Sequence, residues 1–163
     1  MKVSSEMETW DIQHLRYAIA VARDARKNGN HPFGAVLADQ NGKVLLAAEN
    51  TVLTENDPTC HAETNLVRQA AKLYSLDFLA DCTLYASTEP CPMCAGAIFW
   101  GNIGRVVYGL SQDTMHHIVG ENTPEVLDLS CREVLSHGRK QVIVLGPMLE
   151  DEARSVHDGF WVD

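Results

Sequence analysis

Two short motifs stand where helices are expected to begin, and holding both constrains this chain more than any other feature. The first is His61-Ala-Glu63, which opens a stretch to Tyr74 where Leu66, Val67, Ala70, Ala71 and Tyr74 recur at helical spacing. Asp57-Pro58-Thr59 supplies turn and capping chemistry just before it. The second is Pro90-Cys91-Pro-Met-Cys94, whose prolines suit the first turn of a helix running to Trp100. Directly before it, Cys82 to Ser87 has the apolar, β-branched and aromatic content of a strand. Both motifs therefore belong at helix N-termini beside a sheet.

The rest of the chain supplies that sheet. Ile12, Leu15, Ala18, Ile19, Ala22 and Ala25 follow Asp11 at helical spacing, and Asn28-Gly29-Asn30 ends the helix. Gly34 to Ala38 and Lys43 to Asn50 flank a turn at Asp39 to Gly42 and read as a β-hairpin. Gly104 to Gly109 and Gln141 to Gly146 are the fourth and fifth strands, with a helix expected over Pro124 to Ser136 and a closing helix over Asp151 to Trp161. Strand–helix–strand order after an initial hairpin predicts an α/β fold: a three-layer α/β/α sandwich around a five-stranded mixed sheet, largely parallel beyond the hairpin. With 163 residues and no linker or repeat, positions 1–163 are expected to form one domain. A ligand site is expected at the strand ends.

The chemistry follows from the donor types. Two thiolates three positions apart at a helix N-terminus can share one metal, and the helix dipole favours their charged form. His61, Cys91 and Cys94 together make three zinc ligands and leave a tetrahedral position open, as catalytic zinc requires. Glu63 is then a carboxylate beside the metal, free to act as a proton shuttle. Each part has a plainer reading: His61 as a helix cap, Glu63 as a solvated acid, Cys91 and Cys94 as an unmetallated or redox C-x-x-C. Their joint occurrence after strands outweighs those readings. A closed structural zinc site needs a fourth ligand, and Cys60, next to His61, is badly placed for it. Cys60, Cys82 and Cys131 are read as packed thiols.

At the level of these motifs the chain resembles the cytidine and deoxycytidylate deaminase superfamily over nearly its full length, nearest to bacterial guanine deaminases and related small nucleoside deaminases. The matching stretches are Pro32-Phe-Gly-Ala-Val36, Asn56-Asp-Pro-Thr59, His61-Ala-Glu63 and Thr88-Glu-Pro-Cys-Pro-Met-Cys-Ala-Gly-Ala-Ile98. The H-x-E and P-C-x-x-C pair is the signature of zinc deaminases. The resemblance implies Zn2+ as cofactor, Glu63 as the catalytic acid–base, and hydrolytic removal of an amine from guanine or a related purine. It also implies a substrate-contacting asparagine at Asn50 and a backbone N–H donor at Ala62. Phe33 and Trp100 are candidates to stack on the ring. The resemblance further implies a homodimer.

Alternatives keep the chemistry and change the substrate. Adenosine in tRNA is one, since its deaminases share segments such as Gly34-Ala-Val-Leu37 and Cys91 to Ala97. Cytosine or cytidine is another. A formal charge of −9 and an acid-rich tail with a single Arg after Pro147 argue against nucleic acid. A catalytically silent zinc-stabilised binding module is the non-enzymatic reading. Five cysteines without a leader pattern at Met1 to Trp10 point to a reducing cytoplasm, and the apolar runs are too short to span a membrane. The Val156 to Trp161 tail does not align with guanine deaminases, and Asp113, His116, His117, His157 and Asp158 carry no assigned role.

Overall fold

The computed structural model describes residues 3–120 and 122–161, so the outermost positions of the expected 1–163 domain lie outside the described residues. The chain runs α1 (Asp11–Lys27), β1 (Gly34–Ala38), β2 (Val44–Glu49), α2 (Val52–Glu55), α3 (Ala62–Leu73), α4 (Leu76–Leu79) and β3 (Thr83–Thr88). It continues with α5 (Pro92–Trp100), β4 (Arg105–Leu110), α6 (Gln112–Val119), α7 (Cys131–Ser136), β5 (Ile143–Leu145) and α8 (Glu150–Ser155).

The strand order is β2-β1-β3-β4-β5. β1 pairs antiparallel with both β2 and β3, whereas β3–β4 and β4–β5 are parallel, so the sheet is mixed, as expected. Alternation along the strands splits the core in two. Ala35, Leu37, Leu84, Ala86 and Val106 face Leu66, Ala70, Ala95, Ile98 and Leu135 from α3, α5 and α7. Val36, Ala38, Tyr85 and Val107 face Leu15, Ala18, Ile19, Met115 and Ala153 from α1, α6 and α8. Each fully buried Leu or Ile in these layers contributes about 1.5–3 kcal/mol.

α1 lies so close to β1 that a Cβ on Gly34 would collide with the Ala18 carbonyl oxygen. A buried ion pair locks the same helix to the sheet. Arg105 Nη2 sits 2.6 Å from Asp11 Oδ2, and Tyr85 Oη donates to Asp11 Oδ1 at 2.6 Å. Burial alone pushes the Asp11 carboxyl up, but hydrogen bonds from Arg105, Tyr85 and the Glu8 amide outweigh it and hold the group below its usual value.

Two helix expectations are corrected. The helix expected over Pro124 to Ser136 shrinks to Cys131–Ser136, because Ser130 supplies the N-cap by accepting from the Glu133 amide. A separate helix, Gln112–Val119, starts at the Ser111 cap and ends at Gly120, whose φ of 103° ordinary side chains avoid. The closing helix is Glu150–Ser155, and the chain beyond it turns back without regular structure as far as Trp161.

Candidate active site

Both motifs occupy N-terminal helix ends. His61 is the N-cap residue of α3 and Cys91 that of α5, and neither side chain makes a capping hydrogen bond. The imidazole and the thiol are thereby left for each other. His61 Nδ1 lies 3.6 Å from the Sγ atoms of both Cys91 and Cys94. The three donor atoms fall within 4.8 Å of one another. A tetrahedral zinc with the usual Zn–S and Zn–N bond lengths has N···S edges of about 3.5–3.6 Å, so these residues fit that ion.

Among the described residues no fourth His, Cys, Asp or Glu joins this set. Cys60 is buried beside it in sequence, but its thiol engages Glu55. The closed structural site thus lacks its fourth ligand, and an open coordination position follows.

The electrostatics suit metal binding. The Cys94 thiol and the His61 ring stabilise the Cys91 thiolate, which is pulled down to about 4 despite burial. Cys94 is pushed up by its neighbour Cys91 and by burial, so the pair shares one negative charge. His61 is raised, chiefly by its bond with Cys91. Glu63, only 5% exposed, is raised by its burial. Its Oε2 accepts from Cys94 Sγ at 3.4 Å, against the donor set but outside it.

A cavity of about 350 Å³ opens in front of these groups, in the size range of small-molecule sites. Its walls are mostly apolar: Phe33, Met93, Met115, Val119, Leu127 and Trp161, with Thr88, Glu89, Gln112 and His116 among the polar lining. Glu89 braces the wall, its two oxygens accepting from the Gln112 amide at 2.8 Å and the Cys131 amide at 3.0 Å. Trp161 is anchored by donating from Nε1 to His157 Nδ1 at 3.0 Å, with its ring 6.1 Å from that of Phe33.

The remaining expected residues divide. Phe33 lines the cavity, whereas Asn50, Ala62 and Trp100 do not appear in its lining. Asn50 is buried, and its Oδ1 accepts from the Val52 amide at 3.0 Å. Trp100 is 81% exposed at the far end of α5. Six residues beyond Cys94 at a helical rise of about 1.5 Å each, it stands roughly 9 Å down the helix from the sulfur donors. Asp113 and His117 are paired to each other on α6 through the Asp113 carbonyl. Reading the sequence alone missed Thr88, Glu89, Gln112 and Trp161. Thr88 and Glu89 sit inside the Cys91 motif and were findable there, whereas Gln112 and Trp161 reach the cavity only through tertiary folding.

Comparison with known proteins places this geometry. Residues 8–110 match the model of the family described as the cytidine and deoxycytidylate deaminase zinc-binding region. The chain is 42% identical over 161 residues to a probable cytosine deaminase of Schizosaccharomyces pombe, covering 97% of this chain and 96% of that protein. It is 43% identical over 95 residues to the guanine deaminase of Bacillus subtilis, covering 58% of this chain and 60% of that one. A solved structure of a tRNA A34 deaminase superposes with a TM-score of 0.71 at 28% identity, covering 89% of this chain and 99% of that one.

Proposed function

The chain belongs to the cytidine and deoxycytidylate deaminase family, a family of zinc-type deaminases, and from that premise we propose that it hydrolytically deaminates a free nucleobase, with cytosine first and guanine second. The observation that carries this is the buried Glu63 carboxylate, set against a three-ligand donor set at the floor of a mostly apolar cavity.

The choice of base rests on the tail. Similarity to the probable cytosine deaminase runs through nearly the whole chain, whereas similarity to the guanine deaminase spans 58% of it. Trp161, at the end of the tail, lines the cavity. Guanine, which the motifs alone favour, remains the second reading because the Phe33 segment belongs to the shared stretches. The net charge of −9 supports a free base over adenosine in tRNA.

In this reading His61, Cys91 and Cys94 hold the zinc. Zinc bound there would lower the pKa of a water toward about 7 and would supply hydroxide at neutral pH. Glu63 Oε2 takes the proton of the attacking water, and the oxygen adds to the ring carbon that bears the exocyclic amine. Burial, which raises the Glu63 pKa, helps it hold that proton and pass it to the ring nitrogen; it then takes the proton of the added hydroxyl and passes that one to the departing amine. Ammonia leaves and a carbonyl remains. Phe33 and Trp161 hold the ring flat and exclude water from its faces. Asn50, whose backbone amide donates to the carbonyl of Phe33, and the N–H of Ala62, next to His61 in the chain, stay in the proposed contact set.

Leu73 and Trp100, at the ends of α3 and α5, and Leu76 and Phe78 of α4 are exposed, Asn102 Nδ2 donates to the Leu76 carbonyl, and these apolar side chains support a homodimer. The free cysteines among the described residues support a reducing compartment such as the cytoplasm. No described helix is long and apolar enough to cross a membrane.

The test is ammonia release from cytosine, cytidine, guanine, guanosine, adenine and adenosine, with and without a zinc chelator. Zinc-dependent release from cytosine above all others is expected. Release from a purine alone would move the assignment to the second reading, and release from none would favour the silent binding module.

A further inference from the structure

Three buried side-chain atoms lack a hydrogen-bond partner among the described residues: Thr88 Oγ1, Gln112 Oε1 and His157 Nε2. Thr88 and Gln112 both line the cavity in front of Glu63, and they are only 5% and 7% exposed. Gln112 cannot turn its amide to hide the unpaired oxygen. Its Nε2 donates to the Leu127 carbonyl at 3.2 Å, an acceptor that the amide oxygen could not serve. Its backbone amide is fixed by Glu89 at the first turn of α6. The orientation leaves Oε1 as a proton acceptor. Thr88 ends β3, and its hydroxyl can donate or accept.

A buried polar atom without a partner keeps its desolvation penalty uncompensated. Two such atoms in one apolar cavity are a feature of ligand sites, where a few placed polar groups fix orientation. Of the other polar lining groups, Glu89 accepts from two backbone amides, and His116 Nδ1 lies 3.8 Å from Asp128.

We propose that Gln112 Oε1 and Thr88 Oγ1 are the polar grip of the substrate cavity, and that they recognise a planar heterocycle presenting an unsubstituted ring N–H beside an acceptor. Gln112 Oε1 accepts the N–H, and the Thr88 hydroxyl donates to the adjacent ring nitrogen or carbonyl. This rests on the deaminase reading, and it adds that a substituent on the gripped nitrogen is excluded. A site built on a buried acceptor discriminates strongly against a ligand that cannot supply the proton, because the acceptor is then left unpaired.

Gln112→Met and Thr88→Val keep volume and remove the polar atom. Both are to be made in the full chain, alone and in a Glu63→Gln background that permits binding without turnover. Cytosine, guanine and their ring-N-methyl derivatives are the probes. With zinc content unchanged, each variant is expected to lower kcat/KM and to weaken Kd for the preferred base by about 10- to 100-fold. The N-methyl derivative that the unmodified chain binds poorly is expected to change less than about threefold on Gln112→Met, since the contact is already lost.

An unchanged Kd in both variants overturns the proposal. So does an equal loss for methylated and unmethylated bases together with a lowered melting temperature, which marks Gln112 as a strap for the Leu127 segment only. If Gln112→Met does not fold, Thr88→Val decides by the same criteria. If the unmodified chain releases no ammonia from any base, the deaminase reading fails while the Kd comparison still decides the grip. Failure of every base to bind overturns both.

Discussion

Cys94 Sγ and Glu63 Oε2 lie 3.4 Å apart, so the buried carboxylate touches a thiol of the candidate metal site without entering the donor set. This separates holding a metal from moving a proton. Glu63→Gln is expected to retain zinc and to lose about 100- to 10,000-fold in kcat, the usual worth of a positioned acid–base. Metal analysis with steady-state ammonia release checks both halves. Zinc loss, or a rate near that of the unmodified chain, removes Glu63 from the shuttle role.

Cys94→Ala should behave differently. It takes away one of three donors and leaves Cys91 and His61 to hold the ion alone. Zinc content after dialysis is expected to fall to a minor fraction, with activity falling in proportion. Retained stoichiometric zinc would mean that the ion sits elsewhere.

Trp161 tests the tail. Its side chain lines the cavity with its ring 6.1 Å from that of Phe33, and it is not one of the donor residues. Trp161→Ala is expected to raise KM by about tenfold with a smaller effect on kcat, the pattern of lost ring binding. A KM unchanged within twofold places the tail outside substrate recognition.

His157 beneath Trp161 gives a pH prediction. Burial, reinforced by the charge of Arg26, holds its imidazole down at about 4, below the usual His value of about 6.5. At high pH the group is neutral in both folded and unfolded chains and contributes nothing. As pH falls from about 6.5 toward 4 only the unfolded chain takes up the proton, so stability is lost across that window, on the order of 3 kcal/mol in all. Melting curves of His157→Phe are expected to be flatter than those of the unmodified chain between pH 6.5 and 4. Parallel curves would show that His157 charges freely in the folded state.

The buried Asp11–Arg105 pair joins α1 to β4. Asp11→Asn leaves a buried guanidinium without its counter-charge and is expected to destabilise the chain by about 3–5 kcal/mol in denaturant titration. Because the folded Asp11 pKa is depressed, its contribution is full above about 3.9 and is lost only as pH falls through the lower folded value. A change below 1 kcal/mol would show that the pair merely breaks even.

The donor residues and Glu63 were legible in the sequence because each of the two motifs is local: two residues separate Cys91 from Cys94, and one separates His61 from Glu63. The strands were legible because buried runs such as Gly34–Ala38 are apolar throughout. α6 was not, since Gln112 to His117 holds a single apolar residue, Met115, and its boundaries are set by Ser111 and Gly120. Trp100 was placed near the ring because it follows the Cys91 motif closely, whereas helix rise carries it away from the sulfur atoms. Trp161, Thr88 and Gln112 are distant from one another in sequence, and only the folded sheet brings them to one cavity.

The central claim is that zinc held by His61, Cys91 and Cys94 drives deamination of a base. Its most direct test is the rate of ammonia release from cytosine plotted against bound zinc per chain, through chelation and restoration. The rate is expected to rise linearly to a maximum at one zinc and to vanish without it. A rate that survives complete removal of the metal, or a fully zinc-loaded chain that releases no ammonia from any base, would contradict it.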